Sequence, residues 1–338
     1  MRHHRLFAIA EPSQIGEARR AAASLSADVN LDPTESGRVS IVLTETATNI
    51  LHHAKRGEII LSIVDDGPRR GLELLAIDRG PGMGNVAACF ADGYSTLSGS
   101  PGEGLGAIAR LASELDIYSR PDSGTVLMAR FFGHGAPASS LSRLEIGGVA
   151  IPYVGERECG DAWATIPYPQ CRRLIVTDGL GHGPDAAAAS RRAIEVFEAT
   201  ASLSIHEVID QLHAAMKRTR GAAIAIADVH AQHRTVSFAG IGNISGTIMS
   251  TSSSQSLVSI NGTIGVAVRK IQVFEYELPR DAVLVMHSDG LTTHWSFAPY
   301  PGLLRHHPSV IAGVLYRDHR RVNNDDATVV VVKEREAA

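Results

Sequence analysis

Cysteine is scarce. The chain of 338 residues holds three, Cys89, Cys159 and Cys171, and no CxxC pair. That argues against a disulfide framework and fits a reducing, cytoplasmic setting. A basic excess is also missing: 32 Lys and Arg stand against 36 Asp and Glu, a formal charge of -4. Neither nucleic acid nor an anionic membrane is therefore expected as the main partner. Long hydrophobic runs are lacking too. The longest lies around Val329–Val332, far short of the roughly 18 apolar residues that a membrane span needs. The opening segment, Met1 to Ala10, has basic residues but only a short apolar stretch, ended by Glu11 and Pro12, so no signal peptide is expected.

What is present is ordinary globular composition, 44% apolar and 20% charged, enough for two cores of about 150 residues each. Apolar residues at spacings of three and four predict amphipathic helices over 14–30 and 38–54. Short β-rich runs at 58–64 and 72–78 predict paired strands. A Gly/Ser-rich loop at 92–104, a helix from Leu105 to Leu115 and strands near 115–118 and 125–132 complete a first α/β sandwich. Small residues and Pro at 134–142 mark a linker between a domain at 1–133 and one at 143–338. In the second part, strands are expected at 144–151, 174–177, 221–229, 235–239, 246–249, 273–278, 282–287 and 327–333. Helices are expected at 184–200, 204–219 and 308–317, an α+β sheet sandwich. The Ser-rich run 250–256 reads as a solvated hairpin loop.

Three motifs in the first part point to a nucleotide. Glu45 and Asn49 lie four apart on one helical face and can address one ligand. Asp78 ends a strand and leads into Arg-Gly-Pro-Gly, where the carboxylate can accept from an exocyclic amine and Gly80 and Gly82 let a base approach the backbone. Gly102-Glu-Gly-Leu-Gly106 opens a helix whose N-terminus suits phosphate. Each alone is commonest as an ordinary helix face or turn. A dinucleotide fingerprint fails here, because a Gly/Ser/Pro loop rather than a strand precedes Gly102, and no Gly-Lys-Ser/Thr makes a Walker A loop.

In order and spacing, these motifs resemble the N, G1 and G2 boxes of the GHKL ATPases. The run Gly104 to Ser119 with Gly124-Thr125 is similar to the small switch kinases typified by RsbT. The resemblance covers nearly all of 1–133 and implies a Bergerat α/β sandwich binding ATP and Mg²⁺. Asn49 would then hold Mg²⁺ and Asp78 would read the adenine amine, with Gly80, Gly82, Gly102, Gly104, Gly106 and Thr125 around the nucleotide. Glu45 would be the general base toward a protein hydroxyl.

In the second part, acidic residues recur beside glycine: Gly160-Asp161, Asp178-Gly179, Asp289-Gly290, then Asp325-Asp326. Hard divalent ions take carboxylate and carbonyl oxygen, and a two-metal site needs carboxylates arriving from separate strands. The segments Glu158–Trp163, Asp178–Gly183, Ala239–Asn243, Ser288–Leu291 and Asp325–Thr328 resemble the type 2C protein phosphatases of the SpoIIE and RsbX branch. That resemblance implies an α-β-β-α sandwich with two Mn²⁺ or Mg²⁺ ions. Asp178 and Gly179 would bind both ions' shared site, Asp289 and Asp325 the second ion, and Asp161 a metal or its water. Asp326 competes with Asp325 for the metal-facing place, and no basic residue is assigned to the substrate phosphate. Together, the two resemblances imply a Ser/Thr protein kinase fused to a phosphoserine/phosphothreonine phosphatase, acting on STAS-domain proteins of a stressosome-like or anti-sigma pathway. The alternative is an ATP-sensing, anti-sigma-like module controlling the phosphatase.

Overall fold

The computed structural model describes residues 4–66, 69–90, 104–133, 142–168, 171–321 and 325–335. The chain divides into two compact units, His3–Leu141 and Ser142 onward. Residues 134–141 of the expected linker, most of the expected loop 92–104, and Gly102 lie outside the described residues. No described helix is long and apolar enough to cross a membrane.

In the first unit, α1 (Pro12–Asp28) and α2 (Pro33–Asn49) start at prolines, whose fixed φ and missing N–H suit a first helical turn. Asp32 caps α2 by accepting from the Glu35 N–H at 2.9 Å. Ala18, Ala22 and Leu25 of α1, and Val39, Val42, Leu43, Thr46 and Ala47 of α2, form the buried stripes that the spacing predicts. A π-helical turn, Ile50–Ala54, continues α2. The antiparallel sheet holds β1 (His4–Ile9), β2 (Gly57–Asp66), β3 (Arg69–Asp78), β4 (Glu114–Ser119) and β5 (Thr125–Phe132) in the order β1-β2-β3-β5-β4. The helices pack on one face, around Ile59, Leu61, Leu74, Ala129 and Phe131. The short α3 (Gly104–Leu111) ends four residues before the expected Leu115, because the Ser113 N–H already pairs with the Arg130 carbonyl of β5 at 2.9 Å.

The second unit is a sandwich with helices on both outer faces. One sheet runs β13-β10-β9-β8-β7, with β16 also on β10. It is made of β7 (Asp161–Tyr168), β8 (Cys171–Gly179), β9 (Ala222–His230), β10 (Thr235–Ile241), β13 (Ser259–Ile260) and β16 (Phe274–Glu277). The other runs β12-β11-β17-β18-β6, from β6 (Leu144–Ile151), β11 (Ser245–Met249), β12 (Ser254–Ser256), β17 (Val283–His287) and β18 (Ala327–Glu334). A small hairpin pairs β14 (Gly262–Thr263) with β15 (Ala267–Val268). Helices α4 (Pro184–Ala199) and α5 (Ile205–Ala215) cover the first sheet through Ile194, Phe197, Val208 and Leu212, and α6 (Pro308–His319) packs on β6 and β18 of the second. Trp163, Leu174, Phe238, Leu284 and Val330 join the inner faces.

One further expectation fails locally. Helix α5 stops at Ala215 rather than 219, since the Thr219 N–H and hydroxyl both bond to the Met216 carbonyl and close a turn. The Ser-rich run is the expected exposed hairpin loop: the Ser250 hydroxyl accepts from the Ser252 and Ser253 N–H groups in a tight turn, and the last three residues, β12, pair with β11.

Candidate functional sites

The first unit contains a cavity of about 420 Å³ between α2, the π-helical turn, the end of β3 and the start of α3 and β5. Asn49, Asp78, Gly82, Gly104 and Thr125 all line it. Asn49 sits where α-helix gives way to π-helix, a junction that re-aims side chains and often marks a site. Asp78 Oδ1 accepts from the Gly80 N–H at 2.7 Å and the Thr125 N–H at 3.3 Å, which fixes the carboxylate at the cavity wall. Gly82 has φ +65°, and a Cβ there would lie 1.8 Å from the Arg120 carbonyl oxygen, so only glycine permits the turn.

Glu45 is not a lining residue but stands at the edge. A Cβ on Gly104 would come 3.4 Å from Glu45 Oε2 and 3.6 Å from Asn49 Nδ2, ordinary contact distances that place the start of α3 beside both side chains. Gly80 and Gly106, also expected around the nucleotide, are not among the residues that line the cavity. Gly80 allows the close approach of Ala54, whose Cβ would be 2.7 Å from an added Cβ, and Gly106 is buried inside α3. His53, which reads in sequence as helix surface, also lines the cavity; burial lowers its pKa, His52 lowers it further, and Asp78 opposes. Ile50, Ala76, Met83, Leu105 and Leu127 supply apolar walls that no motif announces.

In the second unit the carboxylates meet at strand ends. Asp161 and Asp178 are direct partners across β7 and β8, while Asp289 follows β17 and Asp325 precedes β18. Glycines beside them allow close packing of neighbouring segments. A Cβ on Gly160 would sit 2.6 Å from Asp326 Oδ2, one on Gly179 2.2 Å from the Ala186 carbonyl oxygen, and one on Gly290 1.9 Å from that of Asp326. Asp161 is wholly buried and accepts from the Ser288 hydroxyl at 2.6 Å. Burial pushes its pKa well up, and Asp178 adds to this. Asp178 is raised to about 7, first by burial and then by the charges of Asp289, Asp325 and Asp326. Asp325 is raised by burial and by Asp289. Like charges grouped in this way are relieved by a proton or by a bound cation.

Asp289 tests the fit to a metal. Its Oδ2 accepts from Asn243 Nδ2 at 2.8 Å, while Oδ1 is buried with no hydrogen-bond partner among the described residues. Such an oxygen suits a cation ligand. Asp326 is engaged elsewhere. Its oxygens accept from the Tyr153 N–H at 2.7 Å and the Gly160 N–H at 3.0 Å, tying the loop before β7 to the start of β18. The geometry thus leaves Asp325 as the carboxylate grouped with Asp289. Among the described residues, no three His, Cys, Asp or Glu side chains are already gathered round one point as ligands of a single ion. Hard ions complete such shells with carbonyl oxygen and water.

Comparison with known proteins matches both halves. Residues 8–131 match the histidine kinase-like ATPase domain family. The serine/threonine-protein kinase RsbT of Bacillus subtilis (strain 168) is 31% identical over 112 residues, which cover 33% of this chain and 84% of that protein. Residues 169–335 match the stage II sporulation protein E (SpoIIE) family. The chain belongs to the RsbT-like histidine kinase-like ATPases, here fused to a SpoIIE domain. A solved structure from work on the bacterial stressosome as a modular system adapted to secondary messenger signalling aligns with a TM-score of 0.52 and 26% identity. It covers 57% of this chain and all of its own. RsbX in complex with magnesium aligns with a TM-score of 0.50 and 21% identity, covering 58% of this chain and 98% of its own, a likeness of fold. The RsbT-like unit is thus the Bergerat sandwich, and the SpoIIE unit has the α-β-β-α architecture of type 2C phosphatases.

Within the SpoIIE unit, one further group flanks the carboxylates. His182 Nδ1 lies 2.9 Å from Glu156 Oε1, and its ring packs against Tyr153 with centroids 4.9 Å apart. Glu156 follows Gly155, but it lies in the loop between β6 and β7 rather than at a strand end with the carboxylates, and is not singled out in the sequence.

Proposed function

We propose that the chain is a bifunctional signalling switch of the cytoplasm: an ATP-dependent Ser/Thr protein kinase in the RsbT-like unit and a metal-dependent phosphoserine/phosphothreonine phosphatase in the SpoIIE unit. Its substrates are STAS-domain proteins of a stressosome-like or anti-sigma pathway. The observation that carries the reading is the coexistence in one chain of a cavity with a carboxylate at its edge and a cluster of carboxylates charged against one another.

In the kinase reading, Asp78 accepts from the adenine amine, apolar Ile50, Met83 and Leu127 face the base, and Asn49 with the start of α3 serves the Mg²⁺-phosphate end. Glu45, next to Gly104, takes the proton of the attacking Ser or Thr hydroxyl. In the phosphatase reading, Asp161, Asp178, Asp289, Asp325 and the Gly179 carbonyl hold two Mn²⁺ or Mg²⁺ ions. When bound, such ions supply Lewis acidity and a hydroxide nucleophile at neutral pH. Ser288 and Asn243 orient Asp161 and Asp289, and Asp326 fixes the loop that presents Asp161.

The test uses a phosphorylated STAS-domain protein with Mn²⁺, and the unphosphorylated form with labelled ATP and Mg²⁺. Phosphate release from the first and label transfer to the second are expected. Glu45→Ala should cut transfer by about 10² to 10⁴ while ATP still binds. No phosphate release from the wild type, or equal release by Asp178→Asn, would reject the phosphatase assignment. Unaltered transfer by Glu45→Ala would remove Glu45 as base, and tight ATP binding without transfer would leave the unit a nucleotide sensor.

A further inference from the structure

Beside the carboxylate cluster lies a surface that the chemistry above does not use. The turn after β8 carries Leu180, 45% exposed and two residues beyond Asp178. Its N–H donates to the Gly221 carbonyl at 3.1 Å. On the other side of Gly221 stands Val266, 63% exposed; a Cβ on Gly221 would lie 2.9 Å from Val266 Cγ2. Two exposed apolar side chains thus flank one glycine at the edge of the metal-type site.

The flanking segments are basic. Gly265, preceding Val266, packs on Met216, and its N–H donates to His213 Nδ1 at 3.1 Å, so the β14–β15 hairpin sits on the end of α5. Lys217 and Arg218 follow Met216, and Arg269 and Lys270 follow β15; all four are exposed. Arg220, adjoining Gly221, pairs with Asp185 at 2.7 Å. Exposed cations on the two segments around the Val266 hairpin, with exposed Val and Leu and next to carboxylates that on their own repel a phosphorylated substrate, are complementary to an acidic, partly apolar surface.

We propose that Leu180, Val266, Lys217, Arg218, Arg269 and Lys270 form the docking surface for a phosphoprotein whose phosphorylated Ser or Thr is flanked by acidic and apolar residues. The inference rests on the phosphatase reading and deepens it. The cations attract the acidic flanks and offset the field of the aspartates, while Leu180 and Val266 give the contact that excludes water. A small phosphoester, lacking flanks, gains nothing from the surface.

The experiment compares p-nitrophenyl phosphate with two phosphoserine peptides, one flanked by Glu and Leu and one by Lys and Leu, under saturating Mn²⁺. Wild type should give a kcat/KM at least tenfold higher on the acidic peptide. The double variant Lys217→Glu/Arg218→Glu should lose that preference, and Val266→Asp should lower the rate on the acidic peptide severalfold. Both variants should hydrolyse p-nitrophenyl phosphate at the wild-type rate, which also shows that they fold. Equal wild-type rates on the two peptides, or a preference that survives the charge reversal, would overturn the docking surface alone. Failure of the wild type to hydrolyse p-nitrophenyl phosphate with Mn²⁺ would overturn the phosphatase reading and the docking surface with it.

Discussion

The two sites are built from opposite materials. The cavity of the RsbT-like unit is made by backbone shape: a glycine with positive φ at Gly82, the start of α3 at Gly104 beside Glu45 and Asn49, and apolar walls from four elements. The site of the SpoIIE unit is made by charge: Asp161 and Asp178 are paired across β7 and β8, and the charges of Asp289 and Asp325 act on Asp178. Removing charge from the second should relieve the fold, whereas adding atoms to the first should break it. In the proposed reading, the raised pKa values of Asp161, Asp178 and Asp325 cost stability in metal-free protein and bound cations would offset that cost, a trade of stability for function.

The sharpest test is Asp178→Asn. Outer-shell partners of metal ligands already cost about 10 to 100-fold, so loss of this residue should reduce phosphatase activity by more than that. In metal-free protein at pH 8 the same change should raise stability, on the order of 2 kcal/mol, because a folded pKa of about 7 against an ordinary 3.8 means that ionisation opposes folding. The sign follows from linkage: below 3.8 the carboxyl is protonated folded and unfolded, and stability falls as the pH rises through about 7. Thermal melts in chelator should show wild type weakening over that window and Asp178→Asn weakening less. Saturating Mn²⁺ should flatten the wild-type curve and add about 2.7 kcal/mol at a hundredfold excess over Kd. A variant that is less stable than wild type in chelator would break the electrostatic half of the comparison.

The shape-built half is tested by two glycines that both line the cavity. Gly82→Ala forces a Cβ to within 1.8 Å of the Arg120 carbonyl oxygen at φ +65°, and should cost about 2 kcal/mol. Nucleotide affinity should fall about tenfold, equivalent to about 1.4 kcal/mol. Gly84→Ala is the control, since its Cβ would meet only Pro121 Cγ at 4.0 Å. Titration with a fluorescent ATP analogue should separate the two. Equal losses would mean that the turn is set by something other than steric exclusion.

How much of this is legible in the sequence depends on which material is used. Charge and glycine are explicit in sequence, so the Asp-Gly pairs, Asp78 at the end of its strand and the Glu45–Asn49 face can all be singled out. The run before Asp289 is equally plain, being a continuous apolar segment, and β6 is apolar apart from Glu145 and its glycines. Strand β7 escapes because Pro167 and Thr165 interrupt the apolar signal of a segment whose pairing to β8 runs from Asp161 to Tyr168. Strand β1 escapes because six residues with His and Arg among them look like a solvated start; as an edge strand paired only to β2, it tolerates them. Asp325 and Asp326 cannot be told apart by pattern, since only tertiary structure brings the Tyr153 and Gly160 N–H groups to Asp326. The apolar cavity walls come from isolated positions on separate elements, and isolated apolar residues carry no periodicity to read.

His53 gives the smallest expected effect and a fine discrimination. It lines the cavity, so a charged imidazole there would act as a phosphate partner and its loss would be costly at neutral pH. Burial and the neighbouring His52 instead hold its pKa below the ordinary 6.5, leaving the ring neutral at pH 7.5. His53→Gln keeps polarity without the option of charge, and should change nucleotide affinity at that pH by about twofold or less, the scale of substitutions that touch no buried network. As the pH falls through that lowered pKa the wild type alone gains a positive charge, so its affinity should rise above that of the variant. A large loss at pH 7.5 would mean that the first site, like the second, works by a fixed charge, and that the contrast between a cavity of shape and a cluster of charge is drawn too sharply.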